Sequence, residues 1–95
     1  MKKIAILGST GSIGSQALEV IRQNPERFSV VGLSSHANAN LLIEQAKEFK
    51  PAMVHITDEK IAKEVKTALK DTSTKVLTGA KELKNLATDS DVDMV

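Results

Sequence analysis

Short aliphatic runs alternate along this chain with stretches whose apolar residues recur at helical spacing. This is the pattern of β–α units that build a parallel sheet with helical crossovers. Residues 3–7 are compact and aliphatic and stop at Gly8, which predicts a first strand. Ser12–Gln23 carries Ile13, Ala17, Val20 and Ile21, a spacing that predicts a helix with those residues inward. Asn24 and Pro25 end it, because the residue before proline is pushed out of the α region. Residues 28–33 read as a second strand and 34–39 as a polar loop. A second helix follows, capped by Asn38 or Asn40, with Leu42, Ala46 and Phe49 on its buried face until Pro51 breaks it.

The second half repeats the rhythm. Residues 52–56 form a third strand, and Thr57 or Asp58 caps a helix that turns Ile61, Val65, Ala68 and Leu69 to the core. Glu59 and Lys63 lie four apart on its wet side. After a turn at 71–74 come a brief fourth strand at 75–77 and a helix over about 80–87 with Leu83 and Leu86 inward. Residues 92–95 open another buried strand, so the chain is expected to be the N-terminal piece of a longer protein.

Composition narrows the function classes. Hydrophobic residues make up 41% and charged residues 26%, an ordinary globular balance. Thirteen Lys and Arg against twelve Asp and Glu leave a net charge of +1, which argues against a nucleic-acid footprint. Phe28 and Phe49 are the only aromatics, too few for a base-stacking platform. Without cysteine there is no disulfide, thiolate-bound zinc or thiol nucleophile. No apolar run approaches the ~20 residues of a membrane span, and the start lacks a signal-peptide pattern, so a cytoplasmic protein that binds neither membrane nor nucleic acid is expected.

The chemistry is concentrated in Gly8-Ser9-Thr10-Gly11-Ser12-Ile13-Gly14, between the first strand and the first helix. The spacing is G-x-x-G-x-x-G. Gly8 permits a tight turn, Gly11 clears space for a pyrophosphate, and Gly14 allows the helix to pack closely on the sheet. The free N–H groups of residues 10–13 and the helix dipole favour an anion, with hydroxyls from Ser9, Thr10 and Ser12 as further donors. Ser15 and Gln16 follow Gly14, so the Gly-Lys-Ser/Thr of a phosphate-binding Walker loop is absent.

The end of the second strand bears on which dinucleotide fits. NAD sites place a carboxylate there for the ribose 2′-OH. Here the residues are Ser34, Ser35, His36, Ala37 and Asn38, with no acid to repel a 2′-phosphate, which favours NADP. Other candidates read as structural. His55 stands in a strand without a second ligand, Asp89, Asp91 and Asp93 lack the glycine and glutamate of a calcium loop, and Met53 and Met94 fill the core. The lysines of the second half alternate with acids as on solvated helix faces.

These residues resemble a known family. The run from Lys3 to Gly14, followed by Asn24-Pro25-Glu26-Arg27-Phe28, is similar to the opening of the 1-deoxy-D-xylulose 5-phosphate reductoisomerases. The resemblance continues through Val30 and Val31, Asn38, Glu44 and Gln45, Phe49-Lys50-Pro51, Gly79 and the terminal Asp91-Val-Asp-Met-Val95. It implies an enzyme that rearranges and then reduces 1-deoxy-D-xylulose 5-phosphate to 2-C-methyl-D-erythritol 4-phosphate, in non-mevalonate isoprenoid biosynthesis. NADPH is the implied reductant, magnesium or manganese the implied metal, and a homodimer the implied assembly. The resemblance implies NADPH contacts at Thr10, Gly11, Ser12, Ile13, His36, Ala37 and Asn38, and the glycine motif and the polar loop add Gly8, Gly14 and Ser35 to the expected site. His36-Ala37-Asn38 departs from the family's Gly-Lys-Asn, so His36 or the serine hydroxyls take the place of the lysine at the 2′-phosphate. The resemblance also implies that residues 1–95 are the dinucleotide-binding domain, with catalytic residues and metal ligands beyond Val95.

The expected architecture is a doubly wound, Rossmann-like α/β fold, incomplete at its C-terminus. Strand one is central, the order is 4-3-2-1-5, and the cofactor crevice lies above strand one. Other readings are a semialdehyde dehydrogenase type of reductase, which shares the glycines without Asn24-Pro25-Glu26, and a nucleotide-sensing domain without catalysis.

Overall fold

A computed structural model describes residues 2–36 and 38–79, together with the backbone of Asp93 and Met94. The elements run β1 (Lys2–Ile6), α1 (Ser12–Gln23), β2 (Phe28–Ser35), α2 (Ala39–Phe49), β3 (Met53–Ile56), α3 (Glu59–Ala68), β4 (Lys75–Thr78) and β5 (Asp93–Met94). The sheet order is β4-β3-β2-β1-β5, and every pairing is parallel. This is the expected order, with β1 at the point where the direction of strand addition reverses. The helix expected at 80–87, Asp89, Asp91 and Ala37 lie outside the described residues.

Parallel strands are covered on both faces and so run apolar without strict alternation. Ile4 and Ile6 of β1, Val30 and Leu33 of β2, and Val54 and Ile56 of β3 are all buried. Leu18 and Ile21 of α1, Leu42 and Ala46 of α2, and Val65 and Leu69 of α3 join them in one cluster. The β1–β2 register slips between Ile4 and Ala5, which pair with Val30 and Gly32. Val31 is the extra residue, and the bulge brings both Val30 and Leu33 into the core.

Three expectations need correction. The first strand lies one residue earlier than residues 3–7. The second continues through Ser34 and Ser35, because polar side chains do not stop a strand whose backbone pairs with His55 and Ile56 of β3. The inward face of α1 is Gly14, Leu18 and Ile21, with Ala17 half-buried, whereas Ile13 is 78% and Val20 54% exposed. Both stripes have helical spacing. Gly14 selects between them, because only a residue without a side chain fits where α1 meets the strand-end turn.

Capping follows the local chemistry. Asn38 caps α2 by accepting from Leu41 N–H, and Asp58 caps α3 by accepting from Lys60 and Ile61 N–H. At the far end of the sheet, Arg22 of α1 forks onto Glu48 of α2 at 2.5 and 2.8 Å. It also reaches Glu19 and lies over the Phe49 ring. The hydrogen bond from Arg22 holds the Glu48 carboxyl below the usual carboxylate range. Both side chains are half-exposed, so the pair adds little stability.

The revised face of α1 gives a direct test. Leu18→Ala is expected to cost about 2–5 kcal/mol of unfolding free energy. Ile13→Ala should stay within about 0.5 kcal/mol in the absence of ligand. Denaturant melts of the two variants measure the difference.

Candidate functional site

The site begins where β1 ends. Gly8 has φ +67°, a left-handed conformation that costs an L-residue about 1–2 kcal/mol. It turns the chain back so that Gly11 N–H donates to its carbonyl at 2.9 Å. The Gly11 N–H is therefore spent on the turn, contrary to the expectation that it is free. Gly11 is also the N-cap of α1, in extended conformation with φ −82°, and offers no side chain to cap the helix.

The first capping-type bond into α1 runs from Ser15 N–H to the Gly11 carbonyl. The N–H groups of Ser12, Ile13 and Gly14 precede it, as at any helix start. They and Thr10 N–H have no hydrogen-bond partner among the described residues. This end of α1 is a row of unpaired donors at the positive pole of the helix dipole.

Gly14 is the tightest point. A Cβ there would lie 2.3 Å from the Gly8 carbonyl oxygen and 2.7 Å from the Ser9 Cα. Its role is contact with the turn's own backbone rather than with the sheet proper. A Cβ on Gly11 would lie 3.3 Å from the same oxygen, close but tolerable with a small shift.

The end of β2 is bound to this turn. Ser9 N–H donates to the Ser34 carbonyl at 2.8 Å. The Thr10 and Ser35 hydroxyls are 2.9 Å apart, and Ser35 Oγ also accepts from Asn38 N–H at 3.3 Å. Ser35 is buried, so its hydroxyl serves these protein partners. His36 and Asn38 are exposed beside it. The His36 carbonyl accepts from Asp58 N–H and the Ser35 carbonyl from Thr57 N–H, each at 3.1 Å, which braces this segment against the start of α3. Asn38 spends its Oδ1 on the cap of α2, and its amide N–H groups have no partner among the described residues.

Ser9 corrects another expectation. It is fully buried and its hydroxyl has no partner among the described residues, so it does not join Thr10 and Ser12 as a surface donor. Its carbonyl accepts from the buried Gln45 Nε2 at 2.8 Å and from Ser15 Oγ at 3.4 Å. Sequence reading missed Gln45. The available signal was a polar residue at the i+3 position of the stripe Leu42, Ala46, Phe49.

His55 is fully buried, with Nε2 2.6 Å from the Gly79 carbonyl. It ties β3 to the turn after β4 and has no part in the loop. Among the described residues no group of three or more His, Asp or Glu is placed to hold a metal ion, and no helix is long and apolar enough to cross a membrane.

The model of the family 1-deoxy-D-xylulose 5-phosphate reductoisomerase matches residues 4–95. The chain belongs to this family. A 1-deoxy-D-xylulose 5-phosphate reductoisomerase of Agathobacter rectalis is 48% identical over 95 residues, and one of Desulfitobacterium hafniense is 42% identical over 95. This chain spans about a quarter of the length of each, 25% in both cases. Among solved structures, the reductoisomerase from Zymomonas mobilis in complex with NADPH aligns with a TM-score of 0.89 at 30% identity, over 95% of this chain and 24% of that one. A reductoisomerase in complex with NADPH, fosmidomycin and magnesium gives 0.91 at 32%, over 98% of this chain and 23% of that one. The likeness to reductoisomerases thus extends through the glycine turn and all the described strands.

The three glycines should differ in how much stability they control without ligand. Gly14→Ala places a methyl inside backbone and is expected to be the most damaging, by more than about 3 kcal/mol. Gly8→Ala should cost about 1–2 kcal/mol for its positive φ, and Gly11→Ala least. Thermal melts of the three variants check the order.

Proposed function

We propose that this chain is the NADPH-binding N-terminal part of a reductoisomerase that converts 1-deoxy-D-xylulose 5-phosphate to 2-C-methyl-D-erythritol 4-phosphate. The observation that carries the reading is the row of unpaired N–H donors of Thr10, Ser12, Ile13 and Gly14. They open α1 at the carboxyl end of the central strand, above the point where strand order reverses. A diphosphate satisfies such donors at little cost, because they are already oriented. Gly11 leaves the approach clear, and Gly8 and Gly14 hold the turn. Membership of the family and the NADPH bound to the Zymomonas mobilis relative support the same assignment.

The adenosine side falls to the end of β2. His36, Ala37 and Asn38 offer an imidazole and an amide and no carboxylate, an environment that accepts a ribose 2′-phosphate. Ser35 acts one step back, by holding Thr10 and the backbone of Asn38. When bound, NADPH supplies the hydride for the reduction. The residues of this chain bind and orient it, and the groups that hold the sugar phosphate and the magnesium or manganese ion belong to the remainder of the protein. We place residues 1–95 in the dinucleotide-binding domain of a homodimeric cytoplasmic enzyme, with no nucleic-acid or membrane partner.

Two measurements test this reading in the protein as its gene encodes it. Gly11→Ala puts a methyl at the diphosphate approach and should weaken NADPH binding by about 1–3 kcal/mol. Equal affinities in a fluorescence titration would contradict the assignment. NADPH should bind more tightly than NADH, and His36→Ala should narrow that ratio; an unchanged ratio removes His36 from the 2′-phosphate site.

A further inference from the structure

We infer that Gln45 is a positioning residue for the dinucleotide: its buried amide fixes the direction in which Thr10 N–H points. The inference rests on the reading of the glycine turn as the diphosphate site. Gln45 belongs to α2, outside the turn, and its side chain is buried against the core. Its Nε2 donates to the Ser9 carbonyl at 2.8 Å across 36 residues of sequence. Among the described residues the one other group on that carbonyl is Ser15 Oγ, at the longer distance of 3.4 Å.

The Ser9 carbonyl and Thr10 N–H belong to one peptide unit. In a trans peptide these groups point in opposite directions, and the described residues contain no cis bond. Drawing the carbonyl inward therefore turns Thr10 N–H outward, to the side where Ser12, Ile13 and Gly14 present their unpaired donors. Neighbouring bonds leave this peptide as the open choice. Ser9 N–H is fixed on the Ser34 carbonyl and Gly11 N–H on the Gly8 carbonyl. Rotation of the Ser9–Thr10 peptide would break neither bond, yet it would bury Thr10 N–H and aim a carbonyl oxygen at the incoming phosphate.

Packing alone does not explain a glutamine here. Among the described residues, Oε1 of Gln45 and Oγ of Ser9 are both buried without a partner. An apolar residue of the same size would avoid burying the unpaired Oε1. The bond to Ser9 is what the amide provides.

Removing the donor lets the peptide populate the other orientation, and apparent affinity falls by the fraction that stays competent. Gln45→Met keeps length and burial without a donor. It should lose about tenfold in affinity for NADP+ and less than twofold for adenosine 2′-monophosphate, which carries no diphosphate. Binding of both probes is measured calorimetrically on the full protein, below the melting temperature of each variant. Gln45→Leu, apolar, of similar volume and without a donor, should show the same split and serves if the Met variant does not fold.

An NADP+ affinity within twofold of wild type in a folded variant overturns the inference. So does an equal loss for both probes, or failure of both variants to fold, since each marks Gln45 as a packing residue only. Failure of the wild-type protein to bind NADP+ would instead overturn the proposed function, before Gln45 is tested.

Discussion

At Gly14 the backbone of α1 stands so close to Gly8 and Ser9 that a single methyl group would overlap their atoms. The rest of the site depends on that contact. It lets the helix begin immediately above the end of β1, so that its unpaired N–H groups open close to the strand-end turn. It also decides which side of α1 is buried: with Gly14 against the turn, Leu18 and Ile21 face the sheet and Ile13 and Val20 face outward. A side chain at residue 14 would lift the helix and disperse the donors, however well each neighbouring residue was chosen.

The turn and the end of β2 form one framework. Ser9 N–H on the Ser34 carbonyl, the Thr10–Ser35 hydroxyl pair and Asn38 N–H on Ser35 link the two segments expected to take opposite ends of the adenosine diphosphate. Bonds from Thr57 and Asp58 brace that framework from the next β–α connection. A framework cross-linked in this way has less to order when a ligand arrives, which would lower the entropic cost of association.

Much of this was legible in the sequence. The strand–glycine–helix order, the span of α1, the caps of α2 and α3 to within two candidates each, and the order of the strands follow from period, proline and capping chemistry. The errors have physical causes. Ser34 and Ser35 read as loop because polarity was taken for the end of a strand, whereas backbone pairing to β3 continues under them. Ile13 and Val20 read as core because a helix with two apolar stripes does not declare which one a neighbour will cover. The bond between Gln45 and Ser9 was out of reach because it joins residues 36 positions apart; locally there was only a polar residue beside the buried stripe of α2.

We propose that the unpaired amides opening α1 receive the dinucleotide's diphosphate. Backbone amide resonances of the isotope-labelled protein, followed during titration with NADP+, report on this contact. Thr10, Ser12, Ile13 and Gly14 are expected to shift furthest among residues 2–79, in the direction of new hydrogen bonds, with smaller changes at His36 and Asn38. Saturable binding that leaves those four amides unmoved would contradict it.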